Sequence, residues 1–279
     1  MNAKAQTRML NQTDRWLLLV PIIADILFGL GPFILGGRFG VLFGFPGNDS
    51  FLYRCAGAAA FGYPIGLLLG IRQPSWAALR LPVIATLTFN LASIVVCAVE
   101  ILGGSAGAIV YVILLASIVV AVITASLLMR YSDETPSTPD IASLLKYGLI
   151  LGAVLATAFG LLPLLLAAPF AQFVVYKGTD VLVIREAGAA SLGYGVMAVL
   201  ALRSGVWQKI RLAIIMALVF NGLGFLASVI AFLEGDRQLI IFVIGAAGLL
   251  YTIMASIMLL RSGRMGEGSV QTSMPLPQK

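Results

Sequence analysis

Arg54 and Arg185 each lie at the start of an apolar stretch, and each is followed by Ala-Gly-Ala-Ala and then a Gly-Tyr pair ending at Tyr63 and Tyr194. A guanidinium at a helix end can grip a carboxylate, a phosphate or a lipid headgroup through its fixed fork of donors. It can equally snorkel to an interface or pair with the nearby Asp49 or Asp180. Glu186 adjoins only the second arginine, with Cys55 at the matching place, so a site there is asymmetric. Asn90 and Asn221 fall deep in apolar stretches, where an unpaired amide is costly, and each is expected to bond across a helix interface. Tyr63 and Tyr194 can do the same through their hydroxyls. Asp25 is an acid flanked by apolar residues, which points either to a function in a polar cavity or to a structural pairing. These seven residues, Arg54, Arg185, Asn90, Asn221, Asp25, Tyr63 and Tyr194, are the candidate substrate contacts.

Much chemistry is missing. The chain has no histidine, the commonest acid-base group at neutral pH and the commonest metal ligand. It carries no P-loop, serine elbow or HExxH sequence, so no catalytic residue, metal or cofactor is expected. Cys55 and Cys97 read as small buried side chains rather than a disulfide or metal pair.

The elements that must hold these residues are transmembrane helices. Of 279 residues, 60% are hydrophobic and 11% charged, with a mean hydropathy of +1.01, which excludes an ordinary soluble domain. About 20 apolar residues cross the hydrocarbon layer as a helix. The sequence predicts eight such spans: Trp16 to Leu35, Phe51 to Ile71, Leu81 to Leu102, Ala106 to Met129, Leu144 to Ala168, Leu182 to Leu202, Leu212 to Leu233 and Leu239 to Leu260. The first is too long, and too interrupted by Pro21, Asp25 and Pro32, for a cleaved signal peptide. Residues 131–143, rich in Ser, Thr, Pro and acids, read as a cytoplasmic linker, and 262–279 as a disordered tail.

A repeat organises the whole. The second half matches the first at a constant offset of 131 residues. Between Tyr53 to Asn90 and Ile184 to Asn221, 16 of 38 positions are identical, against about one in ten by chance in so apolar a chain. The expected fold is therefore all-α, with eight spans as two four-helix repeats, 16–130 and 144–261, after a short cytoplasmic N-terminus, 1–15.

With the N-terminus inside, the inner segments hold Lys4, Arg8, Arg15, Arg72, Arg80, Arg130, Lys146, Arg203, Lys209, Arg211, Arg261, Arg264 and Lys279, and the outer ones only Arg38, Arg54, Lys177, Arg185 and Arg237. That bias places both termini in the cytoplasm. An even number of spans per repeat makes the repeats parallel, related by a pseudo-twofold axis along the membrane normal. The short segments Arg72 to Arg80 and Arg203 to Arg211, each with a Trp among cations, read as interfacial anchors. The small residues Ala58, Gly62, Gly66 and Gly70 read as a close helix contact.

Arg54, Gly57 and Gly62, repeated as Arg185, Gly188 and Gly193, resemble the start of the second helix in small four-helix bacterial membrane proteins of the DoxX-like kind. The resemblance implies a four-helix unit, here doubled, and architecture more than activity, since such families include accessories of membrane redox systems; it implies no catalytic residue. The short loops and the lack of a eukaryotic targeting signal point to a bacterial cytoplasmic membrane.

Three functions compete. One is permeation of a small anionic or amphiphilic solute along the seam between the halves. The second is an accessory subunit that binds lipid headgroups or a membrane-protein partner. A membrane enzyme ranks last, because few groups are left to do acid-base work. The partner common to all three is the lipid bilayer, and nucleic acid is excluded because the cations form no basic domain. Tags fused to the two termini are expected on the same face of the membrane, and accessibility labelling that finds them on opposite faces refutes the topology.

Overall fold

In the computed structural model, residues 10–73, 75–131, 142–173 and 180–268 are described, the last seven of them as backbone alone. All the regular structure among them is helical. The helices are α1 Gln12–Leu17, α2 Leu19–Leu35, α3 Gly37–Phe43, α4 Ser50–Gly70, α5 Trp76–Leu102, α6 Ala108–Arg130, α7 Ser143–Leu165, α8 Ala167–Phe173, α9 Val181–Ser204, α10 Trp207–Leu233 and α11 Leu239–Gly268. Eight of the helical segments, α1 with α2 counted as one, are long and apolar enough to cross a membrane. Most of the expected linker, 132–141, and the tail beyond 268 lie outside the described residues, but α11 carries the backbone seven residues past Arg261.

Helices α1, α4 and α5 start where a side chain satisfies a free N–H group. Asn11 caps α1 through the Asp14 N–H at 2.7 Å, and Asp49 caps α4 through the Leu52 N–H at 2.8 Å. Two expectations about the short loops need correcting. Residues 76–80 and 207–211 form the first turns of α5 and α10. Trp76, moreover, is buried rather than interfacial; its ring lies 5.0 Å from that of Tyr131, whose hydroxyl bonds Asp14 at 2.7 Å. Arg130 adds an ion pair to Asp14 at 2.9 Å, which ties α1 to the end of α6. This end of the bundle, which also carries the start of α7 and the end of α9, is called here the terminal end; the other is the far end.

Packing crosses the midpoint of the chain. Helix α4 packs mainly on α2 and α10, and α9 mainly on α7 and α5, while α4 touches α5 much less. Each half thus contributes two tight helix pairs, α2 with α4 and α5 with α6, then α7 with α9 and α10 with α11. The two pairs of one half are joined largely through the other half.

At the centre, α4 and α9 meet at bonds of identical design. The Tyr194 hydroxyl donates to the Ala59 carbonyl at 2.9 Å, and the Tyr63 hydroxyl donates to the Ala190 carbonyl. Gly62 and Gly193 make room for them, since a Cβ at Gly62 would stand 2.0 Å from the Tyr194 hydroxyl and one at Gly193 2.3 Å from that of Tyr63. The rings of Tyr63 and Phe89 stack at 5.1 Å and those of Tyr194 and Phe220 at 4.9 Å. Interhelical bonds in membranes contribute roughly 0.6–1.7 kcal/mol each. Tyr63→Phe and Tyr194→Phe are therefore each expected to cost about 1 kcal/mol, measured by unfolding in mixed micelles; no change in either variant would mean the crossing is held by shape alone.

Candidate functional site

Each arginine of the sequence motif is already engaged. Arg54, in the first turns of α4, holds Glu234 at the end of α10 through two bonds of 2.7 and 2.8 Å. Arg185, at the matching place in α9, bonds Glu100 near the end of α5, and Ser105 donates to the same carboxylate at 2.7 Å. The partners are therefore these glutamates, not the Asp49 or Asp180 expected from proximity in sequence. Each donor fork is met by a carboxylate from the opposite half, and it ties the halves together at the far end.

The asparagines also depart from expectation. Asn90 donates to the Thr86 carbonyl and Asn221 to the Ala217 carbonyl, each at 2.8 Å and each within its own helix. Neither crosses a helix interface by these bonds, and each lines a different cavity.

The small cavity, about 90 Å³, lies between α2 with α4 on one side and α5 with α6 on the other. Helix α9 closes it. Asp25, Asn90, Ser93, Ser117 and Glu186 line it together with a group of aromatic rings, Phe28, Phe39, Phe45, Tyr53 and Phe89. A chain of donors runs through the polar part: the Ser117 hydroxyl donates to Ser93 at 3.1 Å, and Ser93 donates to Glu186 at 2.9 Å. With both protons so used, the hydroxyls offer lone pairs to the cavity. Asp25 is 5% exposed, and its Oδ2 has no hydrogen-bond partner among the described residues. Among the described residues, no Lys or Arg lines the space. Two acids, one from each half of the chain, thus face an acceptor-rich cavity without a counter-charge in its wall.

The large cavity, about 210 Å³, lies between α7 with α9 and α10 with α11, closed by α4. Apart from Phe45, whose counterpart at 176 is outside the described residues, every residue lining the small cavity has its counterpart, 131 positions away, lining the large one. The chemistry differs. Asp25 is answered by Ala156, Glu186 by Cys55, Ser93 by Gly224 and Ser117 by Gly248, so the second cavity has no charged wall. Tyr194 lines it and Tyr63 lines neither.

Of the seven candidates, the structure brings Asp25 and Asn90 together, joins Tyr63 to Tyr194, and leaves Arg54 and Arg185 apart from both cavities. Ser93 and Ser117 were missed. The signal that finds them is the comparison of halves, position by position, for polar groups replaced by glycine. Comparison of the chain with protein-family models, curated proteins and solved structures finds no match.

Outside the spans, Asp180 sits just before α9 at 2% exposure, close to Asp49, whose N–H reaches its Oδ2 at 3.5 Å. Burial raises its carboxyl above the usual range, so the folded protein holds the proton more tightly than the unfolded chain does. The destabilisation is fully present above the raised folded value and is relieved as pH falls through it. Asp180→Asn is thus expected to raise Tm at pH 7, with the gain shrinking as pH falls towards about 4. A gain that persists undiminished in acid would point to shape rather than charge.

Proposed function

We propose that this multi-pass membrane protein binds and passes a small organic cation, an amine with N–H donors, through the polar cavity beneath α3. The observation that carries this reading is a pair of acids, Asp25 and Glu186, in an acceptor-rich cavity with no cation in its wall. A buried carboxylate is costly unless paired, and a cationic guest supplies the missing partner. The aromatic rings at the same cavity add faces on which an ammonium group or its alkyl part can rest. One water needs at least about 10–15 Å³ on this measure, so the cavity takes several waters or one small amine. Because the Arg54 and Arg185 forks are filled by Glu234 and Glu100, an anionic solute has less support than a cationic one.

In this proposal the chain is two parallel four-helix repeats about a pseudo-twofold axis along the membrane normal, with both termini in the cytoplasm. The reciprocal tyrosine bonds and the matched cavities support the axis, and the cation bias of the loops supports the orientation. A kinship with DoxX-like membrane proteins, doubled in one chain, belongs to the same proposal. The second reading, a lipid-binding subunit, is favoured by the uncharged wall of the large cavity.

In vesicles containing the purified protein, labelled methylammonium and short primary amines are expected to enter above the protein-free rate. Asp25→Asn and Glu186→Gln should each lower that rate more than tenfold. Amine fluxes equal to those of empty vesicles, or unaffected by both substitutions, overturn the reading.

A further inference from the structure

We infer that the large cavity holds one acyl chain of a bilayer phospholipid, which enters sideways between α7 and α11. Among the described residues its wall is largely apolar, with Phe51, Phe159, Phe170 and Phe220 among the rings and no charged side chain. Apolar cavities of this order take hydrophobic guests rather than water. A long alkyl chain is the hydrophobic guest that a membrane supplies at every lipid-facing opening.

The shape agrees. On α11 the wall runs from Ile240 to Tyr251, an axial rise of about 16 Å along the helix. One leaflet of a bilayer core is about 15 Å deep. The cavity therefore has the length of a single leaflet's chain laid along the helices. It begins at the far end, beside Phe51 and α8, so a headgroup would remain at that face.

The entrance lies at a sparse contact between two long helices, α7 and α11. Where they do meet, Gly148 lies against Met258 and Gly152 against Tyr251, near the terminal end. Farther along, Leu155 lines the cavity and is 37% exposed. An opening at this residue would join the cavity to the lipid-facing surface.

The substitutions between halves also enlarged this space. Ser93 and Ser117 of the small cavity stand where Gly224 and Gly248 stand in the large one. Gly224 is informative, because a Cβ built on it meets nothing within 4 Å. A side chain added there projects into the cavity without striking backbone.

The test is photolabelling in phosphatidylcholine vesicles that contain a phosphatidylcholine with a diazirine on one acyl chain. Labelled peptides are expected from the wall, around Phe159, Phe220 and Ile244. Gly224→Leu should reduce wall labelling more than tenfold while leaving Tm unchanged or raised, and labels on the lipid-facing residues Leu250 and Ile253 should persist. Ala156→Leu, which fills the cavity from α7, should do the same and stands in if Gly224→Leu fails to fold. Wall labelling that survives both substitutions, labelling confined to the outer surface, or labelling by a diazirine fatty acid with none by the phospholipid each overturns the inference. The result does not depend on amine transport, since neither substitution touches Asp25 or Glu186.

Discussion

The crossing of α4 and α9 is the contact on which the rest of the bundle depends. Lipid removes the hydrophobic force that would drive helices together in water, leaving close packing and a few hydrogen bonds to hold them. Here glycines at 62 and 193 supply the closeness, and the hydroxyls of Tyr194 and Tyr63 supply the bonds, each reaching a carbonyl of the opposite helix. Both rings are braced by a stacked phenylalanine from α5 or α10. With that crossing fixed, the arginine pairs at the far end and the Asp14 cluster at the terminal end act as ties at the two faces rather than as the central joint.

Because the joint runs between halves, neither half is complete without the other. Helices α2, α4, α5 and α6 surround the small cavity, yet the pair α2 with α4 touches the pair α5 with α6 only sparsely. Helix α9 fills that gap and brings Glu186 with it. The second carboxylate of the polar cavity therefore comes from the far half of the sequence, and its hydrogen bond from Ser93 spans the two. A site divided in this way would be lost on separating the halves, even if each half still formed its helices.

The spans were legible because roughly 20 apolar residues have few other uses, and the offset of 131 residues was legible because matched arginines, glycines and aromatic pairs do not recur by chance. The cross-helix role of Tyr63 and Tyr194 could also be read, since a buried hydroxyl requires a partner. Other features depended on three-dimensional proximity. Glu234 lies 180 residues from Arg54, and nothing in their local sequence connects them. Asn90 and Asn221 satisfied their amides on their own helices, an option always open to a side chain four residues from a carbonyl. The short helices α3 and α8 were read as a loop or as the end of a span, because seven residues carry too little periodicity to declare themselves. Trp76 looked like an interfacial residue by its cationic neighbours, yet it is buried against the ring of Tyr131 in a cluster that includes Leu10 and Leu18.

The two cavities differ in wall chemistry although their lining positions correspond at an offset of 131 residues. In a symmetric dimer a residue change appears in both subunits, so the two cavities would have to stay alike. One chain carrying both copies is free of that rule. Its polar positions are also not independent of one another. An acid left alone in an apolar wall is costly, as is a hydroxyl whose acceptor has gone. Asp25 with Glu186, and Ser93 with Ser117, are present together on one side. Ala156 with Cys55, and Gly224 with Gly248, replace them together on the other. On the polar side Ser117, Ser93 and Glu186 form one hydrogen-bonded run, so the loss of either serine would leave a buried group without its partner, whereas Asp25 stands outside that run with an oxygen unpartnered among the described residues.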